Sequence, residues 1–142
     1  MNGIFLSIAL FISTIFYAQH SVIGKWKTID DETGKIVSVV EIFEYKNKIY
    51  GKIVEITNPK DRNRTCVNCT GDDKNKPLLG LIVIKGLIKD GNEYTHGKIL
   101  DPKQGKLYKC VITLDGSDRL KVRGFIGVSL IGRTQIWERL KA

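Results

Sequence analysis

Apolar and polar residues alternate along most of the chain after Ser21, and turn-forming residues recur at intervals of roughly ten positions. An alternation with a period of two is typical of half-buried β-strands joined by short connections. The pattern predicts eight strands, at Val22–Asp30, Ile36–Tyr45, Ile49–Thr57, Leu81–Lys89, Glu93–Leu100, Lys106–Leu114, Asp118–Phe125 and Arg133–Leu140.

Eight consecutive strands with mostly tight turns predict an antiparallel meander, which must either pack as two sheets or close into a barrel. A long polar loop at Lys60–Pro77 and an apolar segment at Gly127–Gly132, suited to one helical turn, depart from the pattern. Closure removes both sheet edges, and glycines inside strands are typical of barrel corners; such glycines are Gly51, Gly86, Gly97 and Gly124. We therefore predict an all-β fold, an eight-stranded antiparallel up-and-down barrel, wide enough for side chains or one small ligand.

The two ends of the predicted sheet carry side chains that suit each other. The first strand begins with Gly24 and Trp26, and the last carries Arg133, Trp137 and Arg139 on one face. Because closure brings these strands together, an arginine can lie over the indole ring of Trp26, which is worth roughly 0.5–2 kcal/mol. Glycine leaves room for a close backbone approach. We predict that these residues close the barrel; the alternative is an ordinary core tryptophan with solvated arginines.

The first segment lies outside the strand pattern. Ile4–Tyr17 is an apolar run interrupted only by Ser and Thr, and it is shorter than the roughly 20 residues that span a bilayer as a helix. Ala18 is a small residue suited to cleavage. We predict a signal peptide at 1–18 and a barrel domain at 19–142, which would be periplasmic or secreted without a transmembrane segment after cleavage. An uncut, membrane-tethered N-terminus is the alternative.

The chain is basic, with 23 Lys and Arg against 15 Asp and Glu and a formal net charge of +8. The predicted signal segment carries none of these side chains, so the excess lies in the domain. A basic domain suits an anionic envelope surface as a partner, although the cationic residues are scattered singly, as in a generic basic protein. Nucleic acid is not an expected partner, because an eight-stranded exported barrel differs from the five-stranded OB-fold.

Several longer stretches of the sequence resemble one known family. Besides the opening Gly24–Trp26, they are Tyr50–Val54, Lys76–Leu81, Gly97–Tyr108, Val122–Gly127 and Gly132–Trp137. Together they resemble the bacterial domain-of-unknown-function family numbered 2147. The glycine-x-tryptophan motif on the first strand, together with an arginine on the last strand, also resembles the calycin signature of lipocalins and fatty-acid-binding proteins. The resemblance covers nearly the whole mature chain and implies an exported bacterial protein with a lipocalin-like barrel, without implying a settled activity.

The three cysteines suit structural roles. Cys66 and Cys69 lie close together in the long loop, and in an exported protein we expect them to form a disulfide that pins the loop. A redox pair would need a helix start to lower a thiol pKa, and a zinc site would need two more ligands. Cys110 alternates with apolar residues on one strand face, which predicts a small buried side chain. We expect neither a metal nor a cofactor.

Four residues are candidates for ligand binding. Glu41 and Arg123 lie inside apolar strands; pointing inward they would form a pair able to hold a carboxylate, and pointing outward both would be solvated. Tyr50 and Tyr108 complete the set. Aromatic side chains are expected to line the interior, namely Phe43, Tyr45, Tyr50, Tyr108 and Phe125.

The sequence carries no recognisable catalytic set. It has two histidines, which leaves little for general-base catalysis, so we do not expect an enzyme; His96 and Asp101 are the candidates for an enzyme acting at the barrel mouth. In the alternative, structural role, Asp101 stabilises a turn by bonding its amides. The leading hypothesis is an exported protein that binds a small hydrophobic or amphipathic ligand, such as a lipid or fatty acid. The alternative is an envelope-associated structural or interaction protein that acts through its basic surface.

Overall fold

The chain folds into one closed sheet. The computed structural model describes residues 3–4, 9–13, 21–128 and 131–141. Within them the strands are β1 (Gly24–Ile29), β2 (Ile36–Tyr45), β3 (Lys48–Ile56), β4 (Ile82–Asp90), β5 (Glu93–Asp101), β6 (Lys106–Asp115), β7 (Arg119–Phe125) and β8 (Gly132–Arg139). Each strand pairs with its neighbours in sequence, and β1 also pairs with β8. The predicted eight-stranded antiparallel barrel is therefore confirmed.

Two predicted segments lie wholly or partly outside the described residues. Of the predicted signal peptide, the structure describes only residues 3–4 and 9–13, which have no regular secondary structure. The predicted helical turn at Gly127–Gly132 includes residues 129–130, which are not described; around them the Ile126 amide donates to the Ile131 carbonyl at 3.0 Å. Among the described residues, no helix is long and apolar enough to cross a membrane.

The core fills one half of the barrel. Its members without solvent exposure come from five strands; they are Trp26 on β1, Ile42 on β2, Ile84 and Leu87 on β4, Ile112 on β6 and Leu120 on β7. One interruption lies on β5, where His96 has φ 64° and the pairing with β6 shifts between Tyr94 and Gly97. Simple alternation would put Tyr94 and Lys98 on one face. Because of the bulge, Tyr94 packs against the core while Lys98 is exposed.

The barrel has two different ends, which we name the floor and the mouth. The floor comprises Trp26, Arg139 and the short turns at 46–47, 91–92 and 116–118. The mouth comprises the four connections at 30–35, 57–81, 102–105 and 126–131. Since antiparallel strands reverse direction at every turn, alternate connections must lie at the same end.

The longest connection, loop 57–81, lies against a neighbouring turn at the mouth. Cys66 and Cys69 form a disulfide within it, as predicted, and both side chains are buried. The Asn68 amide donates to the Lys103 carbonyl at 3.0 Å. Gly105 has φ +70°, and a Cβ atom there would lie 1.8 Å from the Asn68 carbonyl oxygen. The loop and the turn at 102–105 therefore pack backbone to backbone, which only glycine permits.

Candidate ligand-binding site

The half of the barrel above the core is hollow. A cavity of about 1400 Å³ opens at the mouth. Its walls are largely apolar and come from all eight strands, with side chains that include Val40, Ile53, Ile56, Val83, Ile99, Val122 and Trp137. Ligand pockets in proteins commonly measure about 300–1,000 Å³. The cavity, even without its outermost part, is thus large enough for a small molecule.

The polar groups on the cavity wall are uncharged and bonded to the protein. The hydroxyls of Thr28 and Ser38 lie 2.6 Å apart. The indole N–H of Trp137 donates to Gln135 Oε1 at 2.9 Å, and the Tyr108 hydroxyl lies 2.7 Å from Gln104 Oε1, to which it donates. In the described part of the chain, every buried side-chain nitrogen or oxygen has a hydrogen-bond partner. The wall therefore suits an apolar body with few polar groups.

Among the described residues that line the cavity, charged side chains lie only at the rim, on the mouth connections or on the strand ends next to them. The set contains five carboxylates and three cations, and comprises Asp30, Asp31, Glu32, Asp61, Asp101, Arg64, Lys103 and Arg133. Each cation has an acidic neighbour in this set. Arg133 Nε lies 2.8 Å from Asp31 Oδ2, Arg64 Nε lies 3.2 Å from Asp61 Oδ1, and Lys103 Nζ lies 4.0 Å from Glu32 Oε2. The rim thus carries an excess of negative charge.

Two of the rim carboxylates also organise the turns that carry them. Asp30 Oδ1 accepts from the backbone amides of Thr33 at 3.0 Å and Glu32 at 2.8 Å. These bonds, that from Thr33 first, hold the pKa of Asp30 below its ordinary value. Asp101 Oδ1 accepts from the amides of Lys103 at 3.0 Å and Gln104 at 3.4 Å. Both aspartates therefore combine a turn-forming role with a place at the cavity mouth.

At the floor, Arg139 lies over the Trp26 ring. The guanidinium carbon is 4.3 Å from the ring centroid. Its nitrogens donate to the backbone carbonyls of Ser117 at 2.9 Å, Ile23 at 3.1 Å and Ser21 at 2.6 Å. Gly24 has φ +135°, which favours glycine, and a Cβ atom there would also lie 2.8 Å from Arg139 Nη1. The floor is sealed by an aromatic ring, a cation and two backbone segments, at 21–23 and at Ser117.

The remaining two residues predicted to close the barrel lie elsewhere along β8. Trp137 is buried and forms part of the cavity wall. Arg133 lies at the mouth, where it pairs with Asp31. Because a strand rises about 3.3 Å per residue, the six positions between Arg133 and Arg139 separate them by about 20 Å. Arg139 meets Trp26, as expected of at least one arginine, but Arg133, also predicted to close the barrel, lies at the opposite end.

Of the four predicted ligand-binding residues, the structure places Tyr108 on the cavity wall and the others on the outer face. The residues on either side of each of these three face inward. They are Val40 and Ile42 beside Glu41, Ile49 and Gly51 beside Tyr50, and Val122 and Gly124 beside Arg123. In an alternating strand, the neighbours of an inward residue point outward. Arg123 Nη1 donates to Thr134 Oγ1 at 3.2 Å across the outside of the sheet. An inward Glu41–Arg123 carboxylate clamp is thus not formed.

The aromatic residues expected inside divide between the two faces. Tyr108 and Phe125 line the cavity. Phe43 and Tyr45 instead pack against Tyr50 on the outer face, with ring centroids 6.0 and 6.3 Å from that of Tyr50. Three outward aromatics form this cluster because they occupy the outer row of β2 and β3, whose inner row is filled by aliphatic side chains. Sequence reasoning could not choose the face, since β2 is apolar on both sides.

The residues considered for chemistry lie apart from one another. Cys110 is buried in the core, and desolvation raises the pKa of its thiol to about 12. His96 is exposed on the β5 bulge and does not line the cavity, whereas Asp101 does. Within the described residues, no three or more His, Cys, Asp or Glu side chains are grouped closely enough to hold a metal ion.

Sequence reasoning placed Asp101 at the barrel mouth but missed the other rim carboxylates and the polar wall residues Thr28 and Gln135. A usable signal was present for the rim. The four mouth connections can be identified by counting alternate turns of a meander, which places Asp30, Asp31, Glu32 and Asp61 at one end of the barrel. Thr28 and Gln135 lie two positions from Trp26 and Trp137 on β1 and β8, so alternation from those two rings indicates that they face inward as well.

Closed at one end by a Trp–Arg pair and open at the other into an apolar cavity, the fold defines the protein as a calycin-like barrel. A model of the family of uncharacterized proteins conserved in bacteria (DUF2147) matches residues 24–139. The chain belongs to this family, as the sequence motifs predicted.

A solved structure has the same fold. It is that of protein HP1028 from the human pathogen Helicobacter pylori, described as belonging to the lipocalin family, and it superposes with a TM-score of 0.74. The two sequences are 23% identical, over 85% of this chain and 84% of HP1028. At this identity the likeness establishes the fold. No protein with a curated description matches the sequence.

Proposed function

We propose that the protein is a carrier that holds one small, largely apolar molecule in its barrel. The observation that supports this proposal is the cavity of about 1400 Å³ with apolar walls and an open mouth. A barrel that served only as a scaffold would gain stability by filling that space with larger side chains. The floor, by contrast, is closed by the buried Trp26 ring beneath Arg139, so the hollow half is a specific feature of the mouth end.

We also propose that the carrier works outside the cytoplasm. The apolar segment Ile4–Tyr17 has the length of a signal peptide. The Cys66–Cys69 disulfide is compatible with an oxidising compartment. Pulse labelling in the native host would check this, by following conversion of the precursor to a mature form that begins at residue 19.

Native mass spectrometry of protein purified from its own host tests the carrier function. We expect a mass above that of the apo chain, which falls to the apo mass when the protein is denatured, and the extracted molecule identifies the ligand. A clean apo mass, together with no binding of apolar probes, would contradict the proposal.

A pair of variants on β7 provides the control. Val122 lines the cavity, and the adjacent Lys121 is exposed on the outer face. Val122→Phe fills part of the cavity and should abolish or weaken ligand retention. Lys121→Phe adds the same ring outside and should retain the ligand. Equal retention by the two folded variants would count against a ligand inside the barrel.

A second candidate function is attachment to an anionic envelope surface through the outer face. Lys98 on β5 is paired directly with Lys85 on β4 and with Lys109 on β6. Like charges opposite each other on a sheet are destabilising, and only Lys85 has a close acidic partner, Asp73 at 2.6 Å, among the ion pairs of the described residues. An anionic surface would relieve this repulsion.

Vesicle sedimentation tests the second candidate. We expect the protein to bind vesicles that contain anionic lipid at low salt and to dissociate as salt rises through a few tenths molar, because screening shortens the range of the charges. Lys98→Glu with Lys109→Glu should abolish binding, while Lys35→Glu with Lys60→Glu, remote from the row, should reduce it less. Binding that is insensitive to salt would contradict this function.

A further inference from the structure

The charges of the cavity rim are opposite in sign to those of the rest of the protein. The chain has 15 acidic and 23 basic side chains, yet the rim has five acidic and three basic ones. The remainder of the chain is left with ten acidic against 20 basic side chains. The negative rim is therefore not a reflection of overall composition.

Each of the three rim cations already has an acidic neighbour. Arg133, Arg64 and Lys103 each lie within 4.0 Å of a rim carboxylate. A carboxylate or phosphate on a ligand would have to displace one of these neighbours, and it would meet the remaining acidic excess. Below the rim, the wall offers only uncharged polar groups, so an anionic group would gain no cation by entering more deeply.

The same rim is favourable to a positive charge. Asp30 keeps its negative charge because two backbone amides stabilise the ionised carboxylate. Two aromatic rings that line the mouth half, those of Tyr108 and Phe125, add faces that attract cations. An apolar chain or ring system could occupy the wall while a positive group remained at the rim, near water.

Building on the proposed carrier function, we infer that the ligand is an amphiphile with an apolar body and a cationic head, such as an amine or a quaternary ammonium. The apolar wall binds the body, and the acidic rim selects the head. This assignment differs from the binding of fatty acids, for which an inward cation would be needed. The inward Glu41–Arg123 pair that would have supplied one is absent, since both residues lie outside the barrel.

Three probes with the same twelve-carbon chain test the inference: dodecyltrimethylammonium, 1-dodecanol and dodecanoate, each below its micelle concentration. At low ionic strength, we expect calorimetry to give a Kd for the ammonium probe about fivefold or more below that of the alcohol, and the highest Kd for dodecanoate. The acidic rim attracts the ammonium head and repels the carboxylate, and salt screens these forces only partly. Salt at about 0.5 M should narrow the differences, since the Debye length is then only a few ångströms.

Matched variants locate the selectivity. Asp30→Asn with Glu32→Gln removes two rim charges while the Asn oxygen can still accept the turn amides, and it should erase the preference for the ammonium probe. Asp90→Asn with Glu93→Gln removes the same charge from a floor turn and should leave the preference intact.

The possible results separate the two proposals. If dodecanoate or the alcohol binds as tightly as the ammonium probe, the carrier function stands and the inference about the head group is overturned. If the floor-turn variant loses the preference as fully as the rim variant, overall charge and not the rim is responsible, and the inference is again overturned. If none of the probes binds, the carrier function fails and the inference fails with it.

Discussion

The floor and the mouth of this barrel are built from the same eight strands but differ in how their polar groups are used. At the floor, the Arg139 guanidinium is held by three backbone carbonyls and an indole ring. At the mouth, Arg133 on the same strand is more than half exposed and pairs with Asp31 and Asp101. The Arg139 side chain is mostly buried, so its contacts contribute to stability, whereas exposed ion pairs contribute little. The difference indicates that the floor maintains the fold and leaves the mouth free for function.

Removing the central floor side chain should have the largest effect. Trp26 has no solvent exposure and its indole N–H donates to the Val22 carbonyl at 2.9 Å. We expect Trp26→Ala to lower the free energy of unfolding by about 3–5 kcal/mol, because it leaves a large cavity. Urea unfolding followed by circular dichroism measures this. A loss below about 1 kcal/mol would mean that the floor does not carry the stability assigned to it.

The two arginines of β8 compare the ends directly. Arg139→Ala should destabilise the protein by about 3 kcal/mol, because it removes the ring contact and leaves three carbonyls without their donor. Arg133→Ala should cost under about 1 kcal/mol, since its ion pairs are exposed. The same urea titration serves for both. Similar losses for the two variants would remove the distinction between floor and mouth.

A matched pair of glycines is expected to give smaller losses in the free energy of unfolding. Gly105 at the mouth and Gly116 at the floor both have positive φ, +70° and +72°. A Cβ atom added at Gly116 would have no heavy atom within 4 Å, whereas one added at Gly105 would clash with the Asn68 backbone. We expect Gly116→Ala to cost about 1 kcal/mol from backbone strain alone and Gly105→Ala about 2 kcal/mol.

The Gly105→Ala change should also displace loop 57–81, with a consequence that Gly116→Ala does not share. The Cys66–Cys69 disulfide, buried in the native protein, should be reduced faster by dithiothreitol, as followed by mass spectrometry after alkylation. Equal reduction rates in the two variants would show that the loop does not depend on the turn at 102–105.

Cys110 tests whether the core excludes water. Its pKa is raised by desolvation from 9.0 to about 12. Because the unfolded thiol loses its proton first, the contribution of the buried thiol is complete below pH 9 and is lost as pH rises towards 12. Relative to Cys110→Ala, the wild type should lose about 1.4 kcal/mol between pH 8 and pH 10. Parallel pH profiles of the two proteins would contradict a dry core.

The strands were predictable because their signals are local. The period-two alternation and the turn residues gave eight strands whose ends agree with the structure to within two residues. The hairpin at Asp90–Glu93 and the disulfide at Cys66–Cys69 could also be identified from short stretches. Such features depend on neighbouring residues and the backbone, which a sequence records directly.

The faces of the strands were not predictable in the same way, because they depend on bulges and on which side the core occupies. Tyr50 and Phe43 were expected inside and lie outside, since the shift at Val39–Val40 and the aliphatic row of β3 determine the inner face. Arg139 and Arg133 have the same parity on β8, so alternation alone could not assign them to opposite ends. The cavity rim is made by four connections distant in sequence, and only the closed barrel brings them together.

The chain has two tryptophans, and the barrel places one in each functional half. Trp26 lies in the dry floor beneath a guanidinium, and Trp137 lies in the cavity wall with its N–H bonded to Gln135. Intrinsic fluorescence is therefore divided between the two halves: emission from Trp137 responds to what occupies the cavity, and emission from Trp26 to the state of the seal. With Trp137→Phe or Trp26→Phe, the protein becomes its own optical sensor for one half at a time, without an attached dye.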